Sequence, residues 1–91
     1  MKDLSDWRNE IDELDRQIVA LLNQRAECVL NLAPLKRQRR IDILDTSRED
    51  AVARNLREAN RGPLPDESVQ AIFRAVMAAM RELQREAATV E

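Results

Sequence analysis

The chain has 91 residues, 35% of them charged, and a formal net charge of −2. That length fits one small domain over residues 1–91 with a marginal core of its own, and the charge balance argues against a nucleic-acid binder, which carries a basic surplus. With no histidine and one cysteine, Cys28, the composition also argues against a zinc site, an internal disulfide, and Ser-His or Cys-His catalysis.

Ala, Leu, Arg, Glu and Gln are abundant, while Gly and Phe occur once each and Tyr not at all. This usage points to an all-α protein. The N-terminus has no apolar run resembling a signal peptide, and no stretch is long enough to cross a membrane. The expected location is the cytoplasm.

The first element is a long helix over about 4–39, with Ser5 as its cap and Asp6 as a favourable first-turn charge. Its seam is Leu4, Trp7, Ile11, Leu14, Ile18, Leu21, Arg25, Cys28, Leu32 and Leu35, and the spacing of seven is coiled-coil-like. Arg25 is the one charge on that line. Cys28, on the same seam, is expected to be a small buried thiol. Pro34 removes a helical hydrogen bond and crowds the carbonyl of Leu30. Because the seam keeps its phase through Leu35, a kink is expected rather than an end. The basic run Lys36-Arg37-Gln38-Arg39-Arg40 suits the C-terminus of a helix.

Residues 41–45 read as an extended connection. Thr46-Ser47-Arg48-Glu49 fits a capping box, with Thr46 as cap and Glu49 at the third position. A short second helix follows over about 47–59, and Glu49 stands in line with Val52, Leu56 and Ala59. Asn60-Arg61-Gly62-Pro63-Leu64-Pro65 breaks the chain, with Gly62 ending one helix and Pro65 in the first turn of the next. A third helix of medium length carries Val69, Ile72, Phe73, Val76, Met80, Leu83 and Ala87 at helical spacing, with Gln84 on the edge of that face. The tail after Ala88 is expected to fray.

A helix of about 35 residues is roughly 50 Å long, whereas a compact chain of this length has a radius of gyration of about 12 Å. Helices of about 13 and 24 residues cannot cover the long seam, so a second copy in an intertwined helical homodimer is expected.

A charge among core positions needs a partner or a wet cavity. Arg25 therefore either pairs with Glu49 or another carboxylate, or lines a polar pocket with Lys36, Arg48, Glu49 and Gln84. Such a pocket, richer in cations than anions, would select a small anionic ligand, and guanidinium forks suit carboxylates.

Several segments together resemble the all-helical chorismate mutases. They are Trp7-Arg8-Asn9-Glu10-Ile11-Asp12-Glu13-Leu14-Asp15, Leu21-Leu22-Asn23-Gln24-Arg25, Lys36, Asp45-x-x-Arg48-Glu49, Asn60-x-Gly62-Pro63-Leu64, Ile72-Phe73 and Gln84. The resemblance implies an intertwined dimer of three-helix chains that rearranges chorismate to prephenate, on the way to phenylalanine and tyrosine. It implies no cofactor, metal or covalent intermediate. Arg25 would take one substrate carboxylate and Arg8 of the other chain the second. Lys36 would contact a carboxylate and the ether oxygen, and Gln84 would donate to that oxygen. Glu49 would accept from the ring hydroxyl, with Asp45 and Arg48 placing that end. Met80 stands where the family often has a small polar residue, Ala33 at a frequent glycine position, and Pro34 two residues before Lys36. Two alternatives share the scaffold. One is an isochorismate pyruvate lyase, distinguished by pyruvate release. The other is a non-catalytic regulatory or partner-binding module, distinguished by indifference to a dicarboxylate.

Overall fold

Three helices make up the fold, with no strand among the described residues: α1 (Leu4–Gln38), α2 (Thr46–Ala59) and α3 (Asp66–Val90). The structure, a computed structural model, describes residues 1–90, with side chains described as far as residue 88. α3 is helical to Val90; beyond that, the expected fraying of the tail after Ala88 lies outside the described residues. No helix among the described residues is long and apolar enough to cross a membrane.

α1 begins differently from the expectation. Asp3, not Ser5, is the cap: its Oδ1 accepts from the backbone N–H of Asp6 at 3.0 Å, and Asp6 Oδ2 accepts from the N–H of Asp3 at 3.0 Å. Ser5 lies inside the helix and donates its hydroxyl to the Asp3 carboxylate at 2.9 Å. An ionised carboxylate is a stronger acceptor for these donors than a hydroxyl, which is why Asp3 takes the position. The Asp6 N–H, and after it the Ser5 hydroxyl, hold the Asp3 carboxyl below its ordinary value. A cap that prefers its charged form stabilises the folded helix above the ordinary carboxylate pKa and loses that contribution as pH falls through its own lower value. Circular dichroism should therefore show α1 losing helicity below about pH 4. Asp3→Asn, which caps without titrating, should flatten that part of the acid transition.

Pro34 stands within one continuous helix, so α1 does not end there. Ala33 beside it is the one buried residue of α1. The end comes four residues later in a turn that the sequence did not reveal. The N–H of Ile41 donates to the carbonyl of Lys36 at 2.8 Å and that of Arg40 to Arg37 at 3.2 Å, the paired bonds of a Schellman motif. Arg40 supplies the left-handed residue, at φ 56°, where glycine is usual. Arg40→Gly should thus stabilise the fold by about 0.5–1 kcal/mol in a denaturant titration, since relief of the left-handed conformation outweighs glycine's extra unfolded-state entropy.

α2 is also capped one residue earlier than expected. Asp45 is the cap, its Oδ1 accepting from the N–H of Arg48 at 3.1 Å, and Thr46 is the first helical residue. The α2–α3 turn is organised by Asn60, whose Nδ2 donates to Leu64 O at 2.9 Å and Asp66 Oδ1 at 2.7 Å, while its Oδ1 accepts from the N–H of Gly62 at 3.1 Å. Gly62 is needed there for its φ of 73°. Asn60 caps the end of α2, and Pro65 precedes α3 rather than standing in its first turn; its carbonyl accepts from Ser68 and Val69.

α3 packs against both other helices, while α1 and α2 do not pack on each other. A cleft therefore opens between α1 and α2 with α3 behind it. The chain measures 56 × 28 × 15 Å, with a radius of gyration of 16.4 Å. That exceeds the value of about 12 Å for a compact chain of this length. The excess is α1, whose residues 4–21 are all exposed. Leu4, Trp7, Ile11, Leu14, Ile18 and Leu21 are each more than half open to solvent. Among the described residues, Ala33, Met77 and Met80 are the only buried apolar side chains, so one chain has almost no core of its own.

Candidate active site

The cleft between α1 and α2 holds a cavity of about 240 Å³. α1 contributes Arg25, Cys28, Val29, Leu32 and Lys36; α2 and its approach contribute Ile43, Asp45, Arg48, Glu49 and Val52; α3 contributes Met77, Met80, Arg81 and Gln84. The volume suits a small metabolite rather than a peptide.

Seven of the eight expected site residues meet here: Arg25, Lys36, Asp45, Arg48, Glu49, Met80 and Gln84. Lys36 is the junction. Its Nζ donates to the backbone carbonyl of Ile43 at 3.1 Å and to Oε1 of Gln84 at 3.5 Å. The turn at Arg39 and Arg40 makes the first contact possible by folding residues 41–45 back past the end of α1. The second contact joins residues 48 apart in sequence. Gln84 is buried, and turning its Oε1 towards Lys36 leaves its amide NH2 to donate elsewhere. Helix continuity through Pro34 thus carries Lys36 to Gln84. Met80, buried beside them, gives this part of the cavity an apolar wall in place of a small polar residue.

Of the two alternatives for Arg25, the structure shows the polar pocket: Arg25 is half-buried and faces the cavity with Lys36, Arg48, Glu49 and Gln84, and Glu49 does not pair with it. Glu49 instead accepts from Arg81 Nη1 through Oε2. Cys28 is exposed and lines the cavity rather than lying in a core. Both outcomes follow from the separation of α1 and α2, which leaves this part of the α1 seam facing the open cleft rather than packed on α2.

Arg81 is the charged lining residue that the sequence did not mark. Its only signal is position: one residue after Met80 and three before Gln84, at the border of the α3 face. With Arg81, four cations (Arg25, Lys36, Arg48, Arg81) face two carboxylates (Asp45, Glu49), a surplus of two positive charges. Such a site favours a dianion. Arg8, the eighth expected residue, is exposed and does not line the cavity. It stands 17 residues before Arg25 on the same helix, about 25 Å away.

A family model described as chorismate mutase type II matches residues 7–85. The chain belongs to that family. A bifunctional chorismate mutase/prephenate dehydratase of Neisseria gonorrhoeae is 41% identical over 78 residues, which are 86% of this chain and 21% of that protein. The T-protein of Haemophilus influenzae is 34% identical over 79 residues, 85% of this chain and 21% of that one. This chain therefore spans about a fifth of the length of these curated relatives. Among solved structures, a chorismate mutase of Thermus thermophilus superposes with a TM-score of 0.86 at 27% identity, covering 92% of this chain and 96% of that one. The matched residues include every side chain of the cavity and both turns that shape it. The three-helix order of this type II family member is thus shared by a structure of nearly the same extent.

Proposed function

We propose that this chain is a chorismate mutase domain, one unit over residues 1–91, which rearranges chorismate to prephenate in phenylalanine and tyrosine biosynthesis. The observation that carries this reading is the approach of Lys36 Nζ to the buried Gln84 amide inside a cavity with two surplus positive charges.

The reaction is intramolecular. The ether C–O bond of the substrate breaks as a C–C bond forms, and no atom enters or leaves. It needs no nucleophile, metal or cofactor from the protein. The protein must hold the substrate in its reactive conformer and stabilise charge that grows on the ether oxygen. Lys36 and the Gln84 NH2 are the donors proposed for that oxygen. Both are held by the fold before substrate arrives, so little reorganisation is needed in the transition state. Arg25 is proposed to fork onto one substrate carboxylate, and Lys36 shares in neutralising it. Glu49 is proposed to accept from the ring hydroxyl, with Asp45 and Arg48 closing that end and Met80 packing against the substrate.

The second carboxylate is assigned to Arg8 of a partner chain in a homodimer. Two facts support this: Arg8 lies too far along α1 to serve its own cavity, and residues 4–21 carry an apolar face that one chain leaves open. The proposed location is the cytoplasm, where such a biosynthetic step operates.

The test is direct. Purified protein incubated with chorismate should deplete it and form prephenate, without added cofactor. A folded, dimeric sample that forms no prephenate, under conditions where a known mutase does, overturns the proposal.

A further inference from the structure

Arg81 is the group that engages Glu49, and nothing in the expected catalytic set uses it. The two side chains are 22% and 26% exposed. The pair is therefore stronger than an open surface contact, yet neither charge is sealed in a dry interior. α3 carries Arg81 between buried Met80 and buried Gln84, so the backbone at Arg81 is held on both sides. Its Nη1 donates to Oε2 of Glu49. A carboxylate has two oxygens, and this contact leaves the other to accept from a substrate hydroxyl.

A flexible glutamate in this cavity has competing partners. Arg25, Lys36 and Arg48 line the same space. If Glu49 turned to any of them, it would neutralise a cation needed for a substrate carboxylate and leave the hydroxyl without an acceptor. Arg81 removes both outcomes by pairing with Glu49 from α3.

We infer that Arg81 is a positioning residue that holds the Glu49 carboxylate for the hydroxyl of the substrate ring and thereby sets the site's preference for a hydroxyl-bearing substrate. This rests on the mutase reading, in which Glu49 takes that hydroxyl. Arg81 itself need not touch substrate.

The experiment compares two bridged bicyclic ether dicarboxylates that mimic the rearranging skeleton, one with its ring hydroxyl and one without. Binding is measured by calorimetry on the full chain. A hydroxyl accepted by a charged group is worth about 10- to 100-fold in affinity, so wild-type protein should prefer the hydroxylated compound by that order. Arg81→Met keeps the bulk and removes the donors; its preference should shrink to about threefold or less, because the hydroxylated compound loses its acceptor as well as part of its carboxylate contact, while the deoxy compound loses only the latter. In turnover the hydroxyl contact is present before and during the reaction, so the loss should appear as a KM raised about tenfold with little change in kcat. Arg81→Lys, which keeps a donor and a charge, should recover part of the preference. If Arg81→Met fails to fold by circular dichroism, Arg81→Leu, which also lacks a donor, carries the same comparison.

Arg81→Met that keeps the wild-type preference, or that weakens both compounds equally, overturns the inference. Wild-type protein that binds neither compound and leaves chorismate unchanged overturns the mutase reading, and this inference falls with it. Wild-type protein that binds and turns over, with an indistinguishable Arg81→Met, overturns the inference alone.

Discussion

Replacing Lys36 with alanine is expected to lower kcat about 100- to 1,000-fold, because the proposed mechanism loses a preorganised donor to the oxygen on which charge develops. In barrier terms that is about 3–4 kcal/mol. The structure explains why the loss should fall on kcat. Lys36 is fixed by the carbonyl of Ile43 at 3.1 Å and faces Gln84 at 3.5 Å, so its position is established without substrate. Its proposed contact with the ether oxygen strengthens only as charge grows there, so that part of the loss falls on kcat, while its share in a substrate carboxylate adds a rise in KM. Lys36→Arg should not restore activity. Its planar guanidinium is longer and cannot keep both contacts from the same backbone position. Steady-state rates with chorismate, together with a circular dichroism spectrum to show intact helices, check the expectation. A Lys36→Ala protein within about tenfold of wild-type kcat would remove Lys36 from the chemistry.

The second large effect concerns the sharing of sites between chains. Arg8→Ala and Arg25→Ala should each be nearly inactive alone. In the proposed intertwined homodimer, each cavity would take Arg25 from one chain and Arg8 from its partner. Unfolding the two variants together and refolding them at equal concentration should therefore recover about a quarter of wild-type activity, since half of the dimers are mixed and each mixed dimer has one intact site. No recovery, in a sample shown to contain mixed dimers, would mean that Arg8 serves no cavity across the interface. The energetic side of the same arrangement lies in the long helix. Trp7, Ile11, Leu14 and Ile18 present more apolar surface than a solitary chain keeps in water. A charge placed there, as in Leu14→Glu, should dissociate the proposed dimer and abolish the proposed activity together.

Local order was readable in the residues because helices are written in near-neighbour spacing. The seven-residue repeat along α1 set its length, and the breaks at residues 41–45 and 60–65 set the number of helices. Charges standing on apolar seams marked Arg25 and Glu49, since burial makes such positions costly unless something polar surrounds them. Caps were placed less well. Ser5 and Thr46 are good cap residues, but Asp3 and Asp45 are ionised and stand where their carboxylates reach the free N–H groups. The left-handed turn at Arg40 had no glycine to announce it.

What the tertiary structure alone decided is who meets whom. Glu49 has several cations within reach in sequence terms, and it took Arg81, a residue at the border of the α3 apolar face. Lys36 and Gln84 are 48 residues apart, and no local rule relates them. Their meeting depends on α1 staying continuous through Pro34, on the turn that sends residues 41–45 back along the cleft, and on α3 packing against both other helices. The physical reason is the range of the forces. Helix propensity and capping act over about four residues, so they are present in any short window of sequence. The cavity is made by side chains from three helices and the approach to α2, and their separation is set by packing over the whole chain.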